Sequence, residues 1–216
     1  MKQLSNKIPG EPFLIQIDNL LSLDECQYLI NLADNVKTNN LGNKAWHTST
    51  TNGYYDRVIF KDRKLSNVLY DRIKHLLPAE YKDCKIVYLN DVFRFSRYIN
   101  GGEFEIHKDG TNFDMYRSDE YPTWVQPQSI FTLNIFLNDN FQGGETDFFN
   151  SRNRNDLRYS VKPAAGRAAL FYAKQWHSGN KVYFDTLKGE THKYLLRTDV
   201  MCIENSVLVQ VKKEKS

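Results

Sequence analysis

The chain has 216 residues, of which 41% are hydrophobic and 25% are charged, and it carries a formal net charge of +3. This composition predicts one globular domain over residues 1–216, and so small a charge predicts no nucleic-acid partner. No stretch reaches the roughly 18 apolar residues that cross a bilayer, so we expect no membrane partner either.

The N-terminal segment, residues 1–85, is expected to form a layer of one strand and two helices. It begins without the apolar run of a signal peptide, which predicts a cytoplasmic location. Ser22 with Glu25 three positions later is a capping box, so a first helix should start there and run to about residue 36. A second helix is predicted over 64–77, ended by Pro78.

From residue 86 the sequence changes to short segments rich in β-branched and aromatic residues, separated by glycines, Pro163 and Asn-Asp clusters. We therefore expect a mainly β core over 86–204, with a basic C-terminal tail over 205–216. Inside the core, the stretch 111–128 has no strand pattern, and loops of that length are often functional, for example as a lid.

The three cysteines, Cys26, Cys84 and Cys202, are far apart, odd in number and without a CxxC pair. We expect neither a disulfide nor a thiolate metal site from this pattern. Unpaired cysteines are typical of a reducing, intracellular setting.

One short pattern in the core could bind a metal. On a strand, residues two positions apart point the same way, so His107 and Asp109 can present an imidazole and a carboxylate to one point. His177, at the end of a later strand, could return to that point in a sandwich or barrel. Two histidines and one carboxylate form the facial triad of non-haem Fe(II) oxygenases, with zinc as the chemical competitor. The ordinary alternative is a surface pair and an unrelated core histidine.

Four separated blocks surround these residues and occur in a fixed order. They read "RYINGGEFEIHKDG", "TLNIFLNDNFQGGETDFF", "VKPAAGRAALFYAKQWHSG" and "KYLLRTDV". Together they resemble the Fe(II)- and 2-oxoglutarate-dependent dioxygenases, and among them the prolyl 4-hydroxylase-like branch. The resemblance covers about residues 86–204.

The resemblance can be followed position by position. The matching residues are Tyr98, Gly101, Phe104, His107, Asp109, Gly143, Gly144, Thr146, Pro163, Gly166, His177 and Gly179. It implies a double-stranded β-helix, the cupin-like jelly roll, with the N-terminal helices packed on one sheet. It also implies Fe(II) held by His107, Asp109 and His177, 2-oxoglutarate as cosubstrate and O2, with hydroxylation of a C–H bond and release of succinate and CO2.

The resemblance further implies a basic residue for the distal carboxylate of 2-oxoglutarate, which would otherwise be buried unpaired. Lys193 is the best match, and Arg197, on the same strand face, is the second candidate. The spacing from His177 to Lys193 is longer than the family's usual one, which leaves Lys188 as a third candidate.

Two more residues are candidate contacts of the cosubstrate. Tyr98 could reach it through its hydroxyl, or could be a core aromatic residue. Asn134 is the polar residue of an apolar strand and needs partners, which could be the cosubstrate or a local network. His47 and His192 are expected to lie away from the metal.

The sequence leaves the primary substrate open. The first hypothesis is a prolyl residue of a peptide or protein, with Tyr116 and Trp124 of the 111–128 loop forming part of its groove. A second is a free amino acid or other small molecule, for which Arg94 or Arg117 could supply charge. A third is a non-catalytic jelly-roll binding module. No feature predicts an oligomeric state.

Overall fold

The computed structural model describes residues 4–8, 12–35, 46–50, 53–121, 123–185 and 192–208. Its helices are α1 (Leu23–Asn35) and α2 (Arg63–Ile73), and short 3-10 turns cover Lys74–Leu76 and Arg154–Asp156. The strands are β1 (Leu4–Lys7), β2 (Leu14–Asp18), β3 (His47–Ser49), β4 (Tyr55–Lys61), β5 (Glu80–Tyr81), β6 (Cys84–Leu89), β7 (Val92–Tyr98), β8 (Phe104–His107), β9 (Gln128–Phe136), β10 (Gln142–Gly143), β11 (Thr146–Phe149), β12 (Leu157–Val161), β13 (Ala168–Tyr172), β14 (Trp176–Gly179), β15 (Val182–Tyr183) and β16 (Lys193–Glu204). Lys188 and most of the basic tail lie outside the described residues.

Two large antiparallel sheets face each other across the molecule, and β10 and β15 form a separate two-stranded sheet. Within the described residues the larger sheet has ten strands, in the order β1-β2-β13-β9-β16-β7-β4-β3, with β6 and β5 attached beside β16. The smaller sheet has the order β12-β11-β14-β8. From β7 onward the chain crosses repeatedly between the sheets, which is the topology of a jelly roll. The expected fold is confirmed.

The larger sheet has one apolar face and one polar face, because successive side chains along a strand point to opposite sides of the sheet. On β7, Phe93 and Phe95 lie fully buried in the core that includes α1 and α2. Arg94, Ser96 and Tyr98, the intervening positions, line a cavity between the two sheets. The expected packing of helices on one sheet is confirmed, and the other face is left for the site.

Both helices begin close to the predicted residue, whereas their ends agree less well with the prediction. In α1, the Glu25 amide donates to Ser22 Oγ (3.1 Å) and the Ser22 amide to Glu25 Oε2 (2.8 Å), so the capping box is present. In α2, Asp62 caps the first turn by accepting from the Leu65 amide. The helix ends at Ile73, earlier than predicted, because its last turn tightens into a 3-10 turn before Pro78.

The expectation of no disulfide is wrong. Cys84 and Cys202 form one, with their Cα atoms 5.6 Å apart, and buried Cys26 stays free. Strands β6 and β16 pair here, with Cys84 opposite Glu204 and Ile86 opposite Cys202. The bond therefore joins two strands that are distant in sequence, and the cysteine argument for a reducing setting no longer holds.

The 111–128 stretch belongs to the connection between β8 and β9, and it packs against other parts of the protein. Phe113 bridges to Gln128 and Tyr116 to Val125, and Tyr121 with Val125 packs against Ile203.

Of all the helices described, none combines the length and hydropathy required to span a bilayer.

Candidate active site

The three predicted ligands meet at one end of the cavity. Strands β8 and β14 pair with His107 directly opposite His177, and the two rings lie 4.1 Å apart between centroids. Asp109, two positions after His107, places Oδ1 3.5 Å from His107 Nε2 and Oδ2 3.8 Å from His177 Nε2. One ligand atom from each residue lies within 4.8 Å of the others, which suits a shared cation.

Both imidazoles are oriented by their own backbone. His107 Nδ1 donates to Glu105 O (2.8 Å) and His177 Nδ1 donates to Gln175 O (2.9 Å). A carbonyl can only accept, so Nδ1 carries the proton and Nε2 offers its lone pair. Burial lowers the pKa of His177 to about 4, despite the opposing attraction of Asp109, so this imidazole is neutral at physiological pH. Neutral imidazole is the form that binds a metal.

Asp109 is held as a carboxylate by its neighbours. Its side chain is buried, and it accepts from Thr132 Oγ1 (2.5 Å) and lies 3.1 Å from Arg197 Nη1. Burial alone would raise its pKa, but the Arg197 guanidinium and the Thr132 hydroxyl lower the pKa well below its usual range. The residue is therefore ionised and fixed in orientation before any metal binds.

Lys193 lies at the other end of the cavity and is almost completely buried, at 2% exposure. Its Nζ donates to Gly144 O (2.7 Å) and lies 5.0 Å from the Tyr98 ring centroid. No carboxylate of the described residues lies within ion-pair distance of Nζ, and burial lowers the pKa of Lys193 to about 7. A buried amine without a carboxylate is costly, so this end of the cavity fits an incoming anion.

The glycine turn between β10 and β11 makes room for this lysine. Gly144 has φ +70°, and a Cβ there would lie 2.9 Å from the Phe141 ring and 3.1 Å from Lys193 Cδ. A side chain at this position would be strained and would push the lysine away. The second glycine of the Gly-Gly-x-Thr pattern is thus explained by the lysine that it accommodates.

Arg197, the second candidate for the cosubstrate carboxylate, has a different environment. It lies between two acids, 3.1 Å from Asp109 and 3.1 Å from Asp199. It lies four positions after Lys193 on β16, or about 13 Å along the strand. The two cations therefore belong to opposite ends of the cavity, and only Lys193 lacks a carboxylate partner among the described residues.

Tyr98 and Asn134 both line the cavity. Tyr98 stands opposite Lys193 in the β7 and β16 pairing and stacks on Tyr55 with ring centroids 5.4 Å apart. Asn134 stands opposite Arg197, and its Oδ1 is buried without a hydrogen-bond partner among the described residues. No described residue donates to this oxygen, and a contact between Asn134 and the cosubstrate stays a prediction.

Arg94 lines the cavity and forms an ion pair with Asp199 (3.0 Å). Sequence reasoning missed three residues here: Arg57 of β4, which also lines the cavity, Thr132, and Asp199, which accepts from Asn112 Nδ2 (2.8 Å). The alternation of β9 and β16 could have suggested Thr132 and Asp199, because they share faces with Asn134 and Arg197.

The remaining candidates lie elsewhere. Tyr116 stacks on Tyr88 with ring centroids 4.6 Å apart, and Trp124 is 63% exposed; neither lines the cavity. His47 is exposed on β3, and His192 packs near Tyr194, so neither approaches the metal ligands. The cavity itself opens to solvent.

Comparison with known proteins bears on this geometry. A model of the 2OG-Fe(II) oxygenase superfamily matches residues 93–196, a span that contains the three candidate ligands and Lys193. No curated protein sequence matches the chain.

Several solved structures share the fold. A viral collagen prolyl hydroxylase from Paramecium Bursaria Chlorella virus-1, in complex with 2OG, is 20% identical with a TM-score of 0.58, covering 88% of this chain and 96% of that one. A prolyl-4-hydroxylase from Pseudomonas putida is 14% identical with a TM-score of 0.56, covering 87% and 91%. OsALKBH1 is 11% identical with a TM-score of 0.57, covering 90% and 99%. The family match, the jelly roll and the cavity chemistry agree, and the chain therefore carries a 2OG-Fe(II) oxygenase domain and is a dioxygenase that uses Fe(II), 2-oxoglutarate and O2.

Proposed function

We propose that His107, Asp109 and His177 hold the Fe(II) and that Lys193 binds the distal carboxylate of 2-oxoglutarate. The observation that carries this proposal is the buried amine of Lys193, which faces the same cavity as the three ligands and has no carboxylate partner among the described residues. Asn134 Oδ1 and the Tyr98 hydroxyl are further polar groups at that cavity. The bound Fe(II) and 2-oxoglutarate supply O2 activation, with one oxygen atom going to the substrate and the other to succinate.

The side chains of this protein orient the proposed metal ligands, and none of them needs to act as a general acid or base. Thr132 and Arg197 hold the Asp109 carboxylate ionised and oriented. The two backbone contacts at Nδ1 hold both histidines in the tautomer that leaves Nε2 free. The apolar walls from Phe104 and Leu195 limit water around the reacting carbon. With such ligands intact, a non-catalytic module has little support.

We propose that the substrate is a prolyl residue of a peptide or protein. Two of the solved structures with this fold are prolyl hydroxylases, and their likeness extends over 88% and 87% of the chain. The cavity opens to solvent, so a residue of a longer chain can enter it. A free amino acid or small metabolite is the second candidate, favoured by Arg94 at the cavity wall.

Anaerobic addition of Fe(II) and 2-oxoglutarate tests the reaction class. The wild type should develop the weak visible charge-transfer band of this complex and release succinate once O2 is admitted. His177→Ala should lose the band, whereas His75→Ala, a change at an exposed histidine, should keep it. A band that persists in His177→Ala would overturn the ligand assignment, and its absence from the wild type would overturn the reaction class.

The substrate needs a separate measurement. Mass spectrometry across proline-containing peptides and free amino acids should find a gain of one oxygen atom on peptidyl proline. Hydroxylation of free amino acids with every peptide unchanged would overturn the prolyl proposal in favour of the second candidate.

The cytoplasmic location and the absence of a nucleic-acid partner stay predictions. The disulfide between Cys84 and Cys202 weakens the first, since such bonds are rare in reducing compartments.

A further inference from the structure

The cavity has more positively charged side chains than are needed to bind the metal and the cosubstrate. Four cations line it, Arg57, Arg94, Lys193 and Arg197, and among the lining residues of the described chain Asp109 is the sole carboxylate. Fe(II) and 2-oxoglutarate bring equal and opposite charges, so loading the site does not remove the excess. Asp199, next to this lining, pairs with Arg94 and Arg197, so two acids compensate four cations and a further anion could still bind.

Two of the four cations already have a role. On the proposed function, Lys193 takes the distal carboxylate of 2-oxoglutarate. Arg197 is held between Asp109 and Asp199 at 3.1 Å from each. Arg57 and Arg94 remain.

Arg57 has no carboxylate within ion-pair distance among the described residues. Its Nη2 donates to the Tyr55 hydroxyl (2.6 Å), and its guanidinium lies 5.1 Å from the Tyr55 ring centroid. Its Nε is buried and has no hydrogen-bond partner within the described chain. A buried, unpaired guanidinium N–H at a cavity is a donor that a ligand could satisfy.

Arg94 is only partly compensated. Its ion pair is with Asp199 (3.0 Å), but that carboxylate also binds Arg197 and Asn112. Burial lowers the pKa of Arg94 although Asp199 opposes the shift, which indicates that one shared acid does not fully offset the desolvation.

The sheet register places Arg57 and Arg94 side by side. Arg57 of β4 stands opposite Ser96 of β7, and Arg94 lies two residues from Ser96 on the same face. Such diagonal neighbours have Cα atoms about 7–8 Å apart, within reach of one ligand for long side chains. Two guanidinium groups at this distance can share a single carboxylate through charge-assisted hydrogen bonds.

We propose that the primary substrate carries a carboxylate, bound by Arg57 and Arg94, that positions its C–H bond toward the metal ligands. The proposal rests on the oxygenase function proposed above and narrows its substrate class. The same chemistry can come from an acidic residue next to the hydroxylated residue of a peptide or from the α-carboxylate of a free amino acid. Arg57 and Arg94 are then specificity residues that distinguish acids from neutral substrates.

Calorimetric titration of the anaerobic enzyme loaded with Fe(II) and 2-oxoglutarate tests this without turnover. The probes are matched acid and amide pairs: N-acetylated tripeptide amides with Asp or Asn beside proline, and L-proline against L-prolinamide. We expect the acid of at least one pair to bind the wild type about tenfold or more tightly than its amide. The peptide pair and the amino-acid pair then distinguish the two sources of the carboxylate.

The variants Arg57→Gln and Arg94→Gln should each remove most of this preference, because they weaken binding of the acid much more than binding of the amide. Arg57→Lys, which keeps the charge, should retain part of it. Arg63→Gln is the control, because Arg63 pairs with Asp91 on the surface and does not line the cavity. Thermal unfolding and the charge-transfer band report whether each variant is folded and loaded.

Equal or undetectable binding of every acid and its amide by the wild type would overturn the proposal. So would a preference that survives in both glutamine variants or is lost equally in Arg63→Gln. A wild type that forms no charge-transfer band sinks the oxygenase function instead, while the acid and amide comparison still decides the carboxylate site.

Discussion

Replacing Lys193 with Met should stabilise the ligand-free protein and greatly weaken its response to 2-oxoglutarate. The substitution keeps an unbranched side chain and removes a buried amine that has no carboxylate partner among the described residues. Burial lowers the pKa of this lysine from 10.5 to about 7, so the ordinary charged form is disfavoured in the folded protein. The lysine is thus expected to destabilise the empty fold.

The magnitude follows from that pKa difference. Each unit of difference between the folded and unfolded protein corresponds to about 1.4 kcal/mol, so Lys193 costs the ligand-free fold about 4 kcal/mol at pH 7. Loss of the hydrogen bond to Gly144 O offsets about 1 kcal/mol of the gain. Lys193→Met should therefore unfold with a free energy about 3 kcal/mol higher than the wild type at pH 7.

The pH dependence has a definite sign. Between pH 7 and pH 10.5 the unfolded chain keeps the Lys193 proton while the folded chain has released it. Because the unfolded state binds more protons, the contribution of this group makes stability rise with pH over that window and level off above it. The variant should lack this rise.

Urea unfolding of the ligand-free protein at pH 7 and at pH 10 measures both effects. Lys181→Met is the matched control, since the Lys181 side chain is 53% exposed and does not line the cavity. A second measurement adds 2-oxoglutarate to both Fe(II)-loaded proteins without O2, which should raise the melting temperature of the wild type much more than that of Lys193→Met. Equal stabilisation of both proteins by 2-oxoglutarate, or an unchanged free energy of unfolding in the ligand-free variant, would refute the reasoning.

Two further predictions concern the metal ligand and the disulfide. Thr132→Val removes the 2.5 Å hydrogen bond to Asp109 and should weaken Fe(II) binding about tenfold in a metal titration; unchanged affinity would mean that Arg197 alone orients the carboxylate. Reduction of Cys84–Cys202, which are 118 positions apart, should lower the free energy of unfolding by up to about 5 kcal/mol in urea titrations with and without reductant. A double serine variant should show no response to reductant.

Two of the three proposed metal ligands were predictable because their pattern is local. His107 ends β8 and Asp109 follows two positions later, a spacing that predicts side chains on one side. The third ligand depended on the blocks around it, since nothing near His177 states that it pairs with His107. That register is set by two strands far apart in sequence.

Arg57 was missed for a related reason. Its segment has no motif, and its place at the cavity depends on β4 joining β7 in the larger sheet. The disulfide was not predicted for the same reason, because Cys84 and Cys202 meet only through the pairing of β6 with β16. Tyr116 was misplaced because a loop sequence does not reveal which face the loop will cover, and here it packs on Tyr88.

The position of β4 has a consequence for how this enzyme could change. The proposed iron ligands lie on β8 and β14 of the smaller sheet or next to them, and Lys193 lies on β16, whereas Arg57 lies on β4 of the larger sheet, a strand that holds none of these residues. Substitutions on β4 can therefore alter which molecules are accepted while the oxygen chemistry is preserved. The reaction and the choice of substrate would then depend on different residues, and laboratory evolution toward new substrates should begin at Arg57.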